Sequence, residues 1–180
     1  MSDGRQQVTA LFLPGDIFDL NTDMLAECGY TLRAVTEATV AELARGDYER
    51  LAARNPDLGE ALTWGQLEQI ANQTEWLANL GQRSAIERLA HFFCEIYWRL
   101  NAVGRARGDE CDMPLTQHLL AEVLGMTPVH LNRSLQQLRE SGIIDVKNKK
   151  LRIIDGQALA DRGMFDADYL ELKRAGPTNL

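Results

Sequence analysis

A helix end and a helix start lie within the nine residues GMTPVHLNR, residues 125–133. Gly125 follows the apolar face of QHLLAEVL, and glycine is the residue favoured where a helix ends in a left-handed cap. Thr127 and Pro128 form an N-cap and a first-turn proline, so a second helix begins almost at once. The linker is only three or four residues long, which is the spacing of a helix-turn-helix corner.

The second helix has an apolar face and a polar face. Its apolar face is predicted to anchor it to the core through leucines at helical spacing, Leu131, Leu135 and Leu138. Arginine can pair with guanine, asparagine or glutamine can pair with adenine, and a small apolar group can meet a thymine methyl. The opposite face offers this chemistry, and we predict that four of its residues read bases in a DNA major groove: Val129, Asn132, Arg133 and Gln136.

A basic hairpin is predicted after this helix. Beyond Gly142, the stretch IIDVKNKKLRII reads as two short strands around a turn. A hairpin in this place is a wing, whose basic side chains can contact phosphates without reading sequence; the alternative is a merely solvated turn. We predict phosphate contacts or their support from six residues: Thr116, Thr127, His130, Lys147, Lys149 and Lys150.

Charge is distributed unevenly along the chain. A net charge of −7 argues against nucleic acid, because binding to phosphates is driven largely by lysine and arginine. Residues 1–79 hold 13 acidic and 5 basic side chains, whereas residues 127–152 hold six basic and two acidic ones. The positive segment coincides with the predicted second helix and wing, which favours a local DNA-binding surface.

A long helix is predicted from Asn55-Pro56-Asp57, where an N-cap, a first-turn proline and an acid follow one another. A narrow stripe runs along it at alternating spacings of four and three: Thr63, Leu67, Ile70, Thr74 and Leu77. This spacing favours a homodimer interface over packing within the chain, which is the alternative. The run breaks at Leu80-Gly81; a further helix is predicted over about 84–100, and a charged, glycine-bearing loop over 104–112.

The first fifty residues contain β-rich runs broken by turn residues, namely VTALFL, DIFDL, YTLRAV and ATVAEL. They predict a β or mixed module ahead of the helices, and therefore an α+β chain. The cysteines are three in number and far apart, without the pairing that zinc sites need. We expect no disulfide framework, metal or other cofactor.

The stretch LTQHLLAEVLGMTPVHLNRSLQQLRESGIIDVKNKKLRI resembles the winged helix-turn-helix of the CRP/FNR transcription regulators. NPDLGEALTWGQLEQIANQTEWLANLGQRSAIERLAHFFCEI is similar to that family's dimerisation helix, hinge and next helix, and VTALFLPGDIFDL and ATVAELARGDYERL resemble the later strands of its jelly-roll and the exit from it. The resemblance implies a partial, cyclic-nucleotide-binding-like β jelly-roll over 1–55 and a dimerisation helix with hinge over 56–80. A winged helix-turn-helix over 81–156 and a C-terminal helix or tail over 157–180 would follow.

The resemblance also implies partners: a homodimer would dock two recognition helices into successive major grooves of double-stranded DNA at an inverted repeat. By position, Arg133 matches the family's guanine-reading arginine, whereas Val129 stands where many members have a cytosine-reading glutamate. Asn132 falls where others have serine or glycine. RNA polymerase is a further candidate partner.

Members that bind cyclic nucleotide have a glycine-glutamate pair after the PGD-like turn, and an arginine followed by serine or threonine for the phosphate. Here the matching residues are Asp19 and Leu20, and only Arg33 is available further on. We therefore do not expect cyclic nucleotide binding. Iron-sulfur sensing needs an N-terminal cysteine cluster, and Cys28 is the first cysteine of this chain.

The leading hypothesis is a sequence-specific transcription regulator that acts in the cytoplasm, since the chain shows no secretion signal or apolar membrane-spanning stretch. The alternative is a truncated interaction module that dimerises with full-length relatives, because typical members carry further residues ahead of this start. An enzyme is not predicted: neither a catalytic triad nor a P-loop nor a dinucleotide motif occurs in a suitable context.

Overall fold

The computed structural model describes residues 7–18 and 29–170. They form an α+β fold, as predicted, in which a small antiparallel sheet packs beside a group of helices. The helices are α1 (Arg45–Arg54), α2 (Pro56–Gln82), α3 (Ala85–Ala102), α4 (Gln117–Val123), α5 (Pro128–Glu140) and α6 (Gly156–Gly163). The strands are β1 (Ala106–Arg107), β2 (Glu110–Asp112), β3 (Ile144–Lys147) and β4 (Lys150–Ile153).

Helix α3 is the centre of the core. Its side chains from Leu89 to Ile96 are all buried, because α5 packs on one side of the helix and α6 on another. The approach of α6 is close enough to require glycine: a Cβ on Gly163 would lie 2.5 Å from the backbone nitrogen of His91. The largest fully buried apolar side chains are Leu89, Phe92, Phe93, Leu124, Leu131, Leu138, Ile144, Leu151 and Leu159.

The predicted helix-turn-helix corner is confirmed. Thr116 and Thr127 cap α4 and α5, since each hydroxyl accepts a hydrogen bond from a backbone N–H three residues on. Gly125 lies between the two helices with φ of +57°, in the left-handed region that favours glycine. The chain therefore turns from α4 to α5 where the sequence predicted.

The predicted wing is also present. Strands β3 and β4 pair antiparallel, with Lys147 opposite Lys150. The two residues between them, Asn148 and Lys149, both have positive φ, as a tight two-residue hairpin turn requires.

The prediction of a loop over 104–112 is wrong in part. The segment forms a short hairpin of β1 and β2, and the sheet has the strand order β1-β2-β4-β3. Cys111 of β2 is buried opposite Leu151 of β4. The hairpin was not visible in the sequence, because its strands are two and three residues long and depend on pairing with β4.

The strands predicted in the first fifty residues are not observed where the structure describes that segment. Residues 7–18 and 29–44 contain no strand, and α1 follows from Arg45. A strand is stabilised by hydrogen bonds to a neighbour, and these segments pair with none of the described residues. Apolar side chains consequently remain exposed on Tyr30, Leu32, Val35, Val40 and Leu43.

Helix α2 is longer than predicted. It continues through Gly81 to Gln82 rather than ending at Leu80. Arg83 is extended, and α3 starts directly afterwards with a capping box between Ser84 and Glu87. The break is thus set by the cap of the next helix, while Gly81 is accommodated in helical conformation. The domain limits at 55, 80 and 156 stay predictions.

A C-terminal segment packs back on α2 and α3. After α6 the chain forms a 3-10 turn over Ala167–Tyr169, and the rest of the predicted tail, 171–180, lies outside the described residues. The Tyr169 hydroxyl lies 3.3 Å from Oε2 of the fully buried Glu95, which also accepts from Trp76 Nε1 at 2.9 Å. Arg83 Nη2 donates to the Met164 carbonyl. None of the helices in the described part is long and apolar enough to cross a membrane.

Candidate nucleic-acid interface

The two faces of α5 are divided as the leucine spacing predicted. Leu131, Leu135 and Leu138 are buried in the core. The opposite face is exposed to solvent, and Val129 has 75% of its surface accessible. The four predicted base-reading residues all lie on this exposed face: Val129, Asn132, Arg133 and Gln136. Their role in base reading stays a prediction.

Arg133 is available to a ligand. Its guanidinium makes no hydrogen bond or ion pair with any residue that the structure describes. Gln136 differs, because its Nε2 donates to Glu140 Oε1 at 2.7 Å within the same helix. The amide of Gln136 must exchange this bond in order to pair with a base, whereas Arg133 has nothing to release.

The predicted phosphate-supporting threonines have their hydroxyl oxygens occupied as acceptors. Thr116 Oγ1 accepts from the Leu119 N–H at 3.2 Å, and Thr127 Oγ1 accepts from the His130 N–H at 3.3 Å. A hydroxyl group can donate one hydrogen bond while it accepts another. Both threonines therefore keep a proton for a phosphate oxygen, and the exposed His130 lies in the first turn of α5.

The three wing lysines do not have equal surroundings. Lys150 Nζ lies 3.0 Å from Asp112 Oδ1 and 3.4 Å from Glu110 Oε1, both on β2. These hydrogen bonds, first that to Asp112, raise the pKa of Lys150. Lys147 and Lys149 are exposed and form no ion pair within the described part of the chain. They remain free to meet a phosphate, whereas Lys150 is already neutralised by neighbours.

Two further contacts at the wing were not predicted. Arg152 Nε donates to Asp109 Oδ2 at 2.7 Å, so the turn before β2 and β2 itself supply acids that balance the basic side chains of β4. Arg139, in the last turn of α5, donates to the Val146 carbonyl and joins the recognition helix to the wing. The acidic run in RGDECD, within the predicted loop, was the only sequence signal for the Arg152 contact, and the Arg139 contact left none.

The stripe predicted as a dimer interface lies on the surface of α2. Leu67, Ile70 and Leu77 expose 46, 59 and 72% of their surface. The two threonines of the stripe, Thr63 and Thr74, are exposed as well. A face that is apolar and uncovered along four helical turns is available to a second molecule, and its use as a dimer contact stays a prediction.

The region matched to the nucleotide pocket offers little positive charge. A cavity of about 330 Å³ lies between residues 9–17 and α2, with Arg99 in its wall. Arg99 donates to Asp16 at 2.6 Å and to Glu95 at 3.0 Å, and it is the only cation among the described lining residues. Arg33 lies 3.6 Å from Glu122 of α4. Asp19, Leu20 and Cys28 lie outside the described residues.

No group of histidine, cysteine and acidic side chains that could hold a metal ion occurs among the residues described. Cys94 and Cys111 are both buried as free thiols. Burial raises the pKa of Cys94 to about 12 and that of Cys111 to about 11. Neither thiol is therefore ionised near neutral pH, and both behave as small apolar residues.

A family model described as a Crp-like helix-turn-helix domain matches residues 87–162. These residues include α4, α5 and the wing. The chain is 27% identical over 173 residues to transcriptional activator protein FnrL of Cereibacter sphaeroides, covering 93% of this chain and 68% of that protein. It is 28% identical over 160 residues to nitrogen fixation regulation protein FixK of Azorhizobium caulinodans, covering 88% of this chain and 64% of that protein. The chain thus spans about two thirds of the length of these relatives.

A solved structure, that of FixK2 from Bradyrhizobium japonicum, has the same fold. It superposes with a TM-score of 0.69 at 23% sequence identity, covering 89% of this chain and 78% of that one. The names of the relatives describe regulators rather than enzymes, in agreement with the sequence prediction. The chain is therefore similar to CRP/FNR regulators such as FnrL and FixK, and the Crp-like helix-turn-helix model matches it over residues 87–162.

Proposed function

We propose that this protein binds double-stranded DNA sequence-specifically and regulates transcription in the cytoplasm. The observation that carries the proposal is the exposed face of α5, on which Arg133 has no partner among the described residues. A free guanidinium beside the amides of Asn132 and Gln136 matches the donors and acceptors of a major groove. Val129 adds an apolar contact suited to a thymine methyl.

The wing supports the same function. Lys147 and Lys149 project from the hairpin that Arg139 joins to the recognition helix. Contacts from these lysines to phosphates would strengthen and orient binding without adding sequence preference. We expect Lys150 to contribute less, because Glu110 and Asp112 already neutralise it.

We further propose that the active form is a homodimer on an inverted-repeat operator. The exposed stripe of α2 supports this, since it offers a continuous apolar surface to a second copy. Two recognition helices related by a two-fold axis would read half-sites about one helical turn apart. RNA polymerase is a candidate partner at the promoter.

Selection of bound sequences from a random DNA pool tests the proposal directly. An inverted repeat among the selected sequences would support both DNA reading and dimer symmetry. A single half-site would support DNA reading by a monomer and count against the dimer. Failure to enrich any sequence would contradict sequence-specific DNA binding.

Arg133→Ala tests the recognition face. We expect a loss of about 1 to 3 kcal/mol in operator binding, and relaxed preference at one base pair per half-site, because a bidentate contact to guanine is removed. Gel-shift titration against operators that vary at each position measures both quantities. Arg162→Ala serves as the matched control, because it removes an exposed arginine from α6 rather than from α5. Unchanged affinity and preference in Arg133→Ala would contradict the assignment.

A second candidate is an interaction module that dimerises with full-length relatives and controls them. The exposed apolar side chains over residues 30–43 favour it, because a partner could cover them. Size-exclusion chromatography with light scattering, alone and mixed with a full-length relative, distinguishes the two candidates. A stable homodimer that binds DNA unaided would count against the second.

A further inference from the structure

One arginine at the start of α3 joins two parts of the molecule that are far apart in sequence. The guanidinium of Arg88 donates hydrogen bonds to four backbone carbonyls. Its Nη1 lies 2.7 Å from the Leu124 oxygen and 3.3 Å from the Gly125 oxygen, in the turn between α4 and α5. Its Nη2 lies 3.2 Å from the Leu80 oxygen and 3.1 Å from the Arg83 oxygen, at the end of α2.

These acceptors belong to the C-terminal ends of two helices. The last carbonyls of a helix have no partner within the helix and carry a partial negative charge. Arg88 places one positive charge between the end of α2 and the end of α4. The planar fork of arginine can bond in two directions at once, which the single ammonium of lysine cannot do in the same way.

Direct packing accompanies these hydrogen bonds. A Cβ on Gly125 would lie 2.9 Å from Cδ2 of Leu80, so the last turns of α2 touch the corner of the helix-turn-helix. Leu80 is half-buried at this contact. The position of the proposed dimerisation helix is thus linked through one guanidinium and one leucine to the turn from which α5 starts.

From this geometry we infer that Arg88 is a positioning residue, which sets the separation and angle of the two recognition helices in the dimer and thereby the half-site spacing that the protein accepts. The inference rests on the proposed function. In such a dimer, α2 of each copy leads to the helix-turn-helix through the extended Arg83, which we call the hinge. Loss of the Arg88 hydrogen bonds should leave the base-reading face of α5 intact but allow α5 to move relative to α2.

Half-site spacing provides a readout that loss of stability alone would not change. One added base pair moves a half-site by about 3.4 Å and turns it by about 34°. We expect the wild-type protein to lose about tenfold or more in affinity on operators lengthened or shortened by one base pair. In Arg88→Met, affinity for the original operator should fall about tenfold, while the spacing penalty shrinks to about threefold or less.

The experiment measures binding by fluorescence anisotropy on the selected operator, on its two spacing variants and on a single half-site. Arg88→Lys keeps the charge and loses the fork, so its spacing penalty should lie between those of wild type and Arg88→Met; it decides the matter if Arg88→Met does not fold. Arg162→Met is the control, because Arg162 is exposed and forms no hydrogen bond or salt bridge with the described residues. Its spacing penalty should equal that of wild type.

The outcomes separate this inference from the proposed function. Wild-type binding with a spacing penalty that stays the same in both Arg88 variants would overturn the inference alone. A loss of affinity that is equal on all four DNAs would also overturn it, because it would indicate a general loss of folded protein. Wild-type protein that selects no DNA sequence would overturn the proposed function, and this inference with it.

Discussion

Buried polar side chains hold the C-terminal segment against α3. His91 is almost fully buried, with Nδ1 3.2 Å from the Gly163 carbonyl and Nε2 3.2 Å from the Tyr169 hydroxyl. A carbonyl oxygen can only accept, so Nδ1 carries the proton of the neutral ring. Burial, with a further contribution from Arg83, lowers the pKa of His91 to about 4, against the opposing effect of Glu75.

This shift predicts a pH dependence of stability. Between its ordinary pKa of 6.5 and about 4, His91 binds a proton in the unfolded chain but not in the folded one. The free energy of unfolding should therefore fall as pH falls through that window, by on the order of 3 kcal/mol. Urea denaturation at several pH values between 7 and 4, for wild type and His91→Gln, measures the difference.

The difference between the pH profiles of wild type and His91→Gln reports on His91 alone. Burial raises the pKa of Glu95, which acts in the opposite direction, but Glu95 is present in both proteins. His118→Gln is the control, because its side chain is 78% exposed. We expect a flatter pH profile only in His91→Gln. Parallel profiles for wild type and His91→Gln would contradict the assignment of a neutral, buried imidazole.

Among the helices, the stripe on α2 contains two threonines that are compatible with the predicted dimer contact. Thr63 Oγ1 donates to the Gly59 carbonyl at 2.9 Å, and Thr74 Oγ1 donates to the Ile70 carbonyl at 2.8 Å. Both hydroxyls are satisfied within their own helix, so only their methyl groups need to meet a partner. The stripe can thus be covered without leaving an unpaired hydroxyl, which would cost about 1 to 3 kcal/mol.

Leu67→Glu should disrupt the dimer. A carboxylate buried at a helix-helix contact without a partner costs several kcal/mol, so we expect the dimer Kd to rise at least about 100-fold. Analytical ultracentrifugation over a concentration series measures it. Leu51→Glu on α1 is a matched control, since Leu51 and Leu67 are each 46% exposed. An equal effect of both substitutions would show that the stripe is not the contact.

At the scale of the whole molecule, the distribution of charge matters more than its sum. The net charge is −7, yet the surface around α5 and the wing carries Arg133, Lys147 and Lys149 without acidic partners among the described residues. Asp112 of β2 and Asp109 in the turn before it neutralise Lys150 and Arg152 instead. The surface proposed to face DNA thus has fewer unpaired basic side chains than the sequence suggested.

This distribution predicts unequal salt effects for neighbouring lysines. Lys149→Ala should weaken binding to all DNA sequences alike and lower the slope of log Kd against log salt by about 0.9, because one phosphate contact is lost. Lys150→Ala should lower the slope less, since Glu110 and Asp112 compete for its ammonium. Anisotropy titrations from low to physiological salt provide the slopes. A larger effect of Lys150→Ala would contradict the predicted division of roles.

Features that depend on neighbouring residues could be predicted from the sequence. Helix caps at Thr116 and Thr127, the left-handed Gly125 and the leucine spacing of α5 act within one or two turns. Each therefore leaves a pattern that can be read locally, as does the tight turn at Asn148-Lys149. These patterns predicted the corner, the wing and the exposed face of α5 correctly.

Features that depend on distant partners became apparent only in the folded chain. The runs over residues 7–18 and 29–44 have β-rich composition, but without neighbours to pair with among the described residues they form no strand. The short hairpin of β1 and β2 forms because β4 pairs with it. The contacts of Arg88 to Leu80 and Leu124 span 8 and 36 residues, and backbone carbonyls carry no residue-specific signal. Local sequence preferences determine where helices begin and end, while long-range contacts determine how those helices are arranged relative to one another.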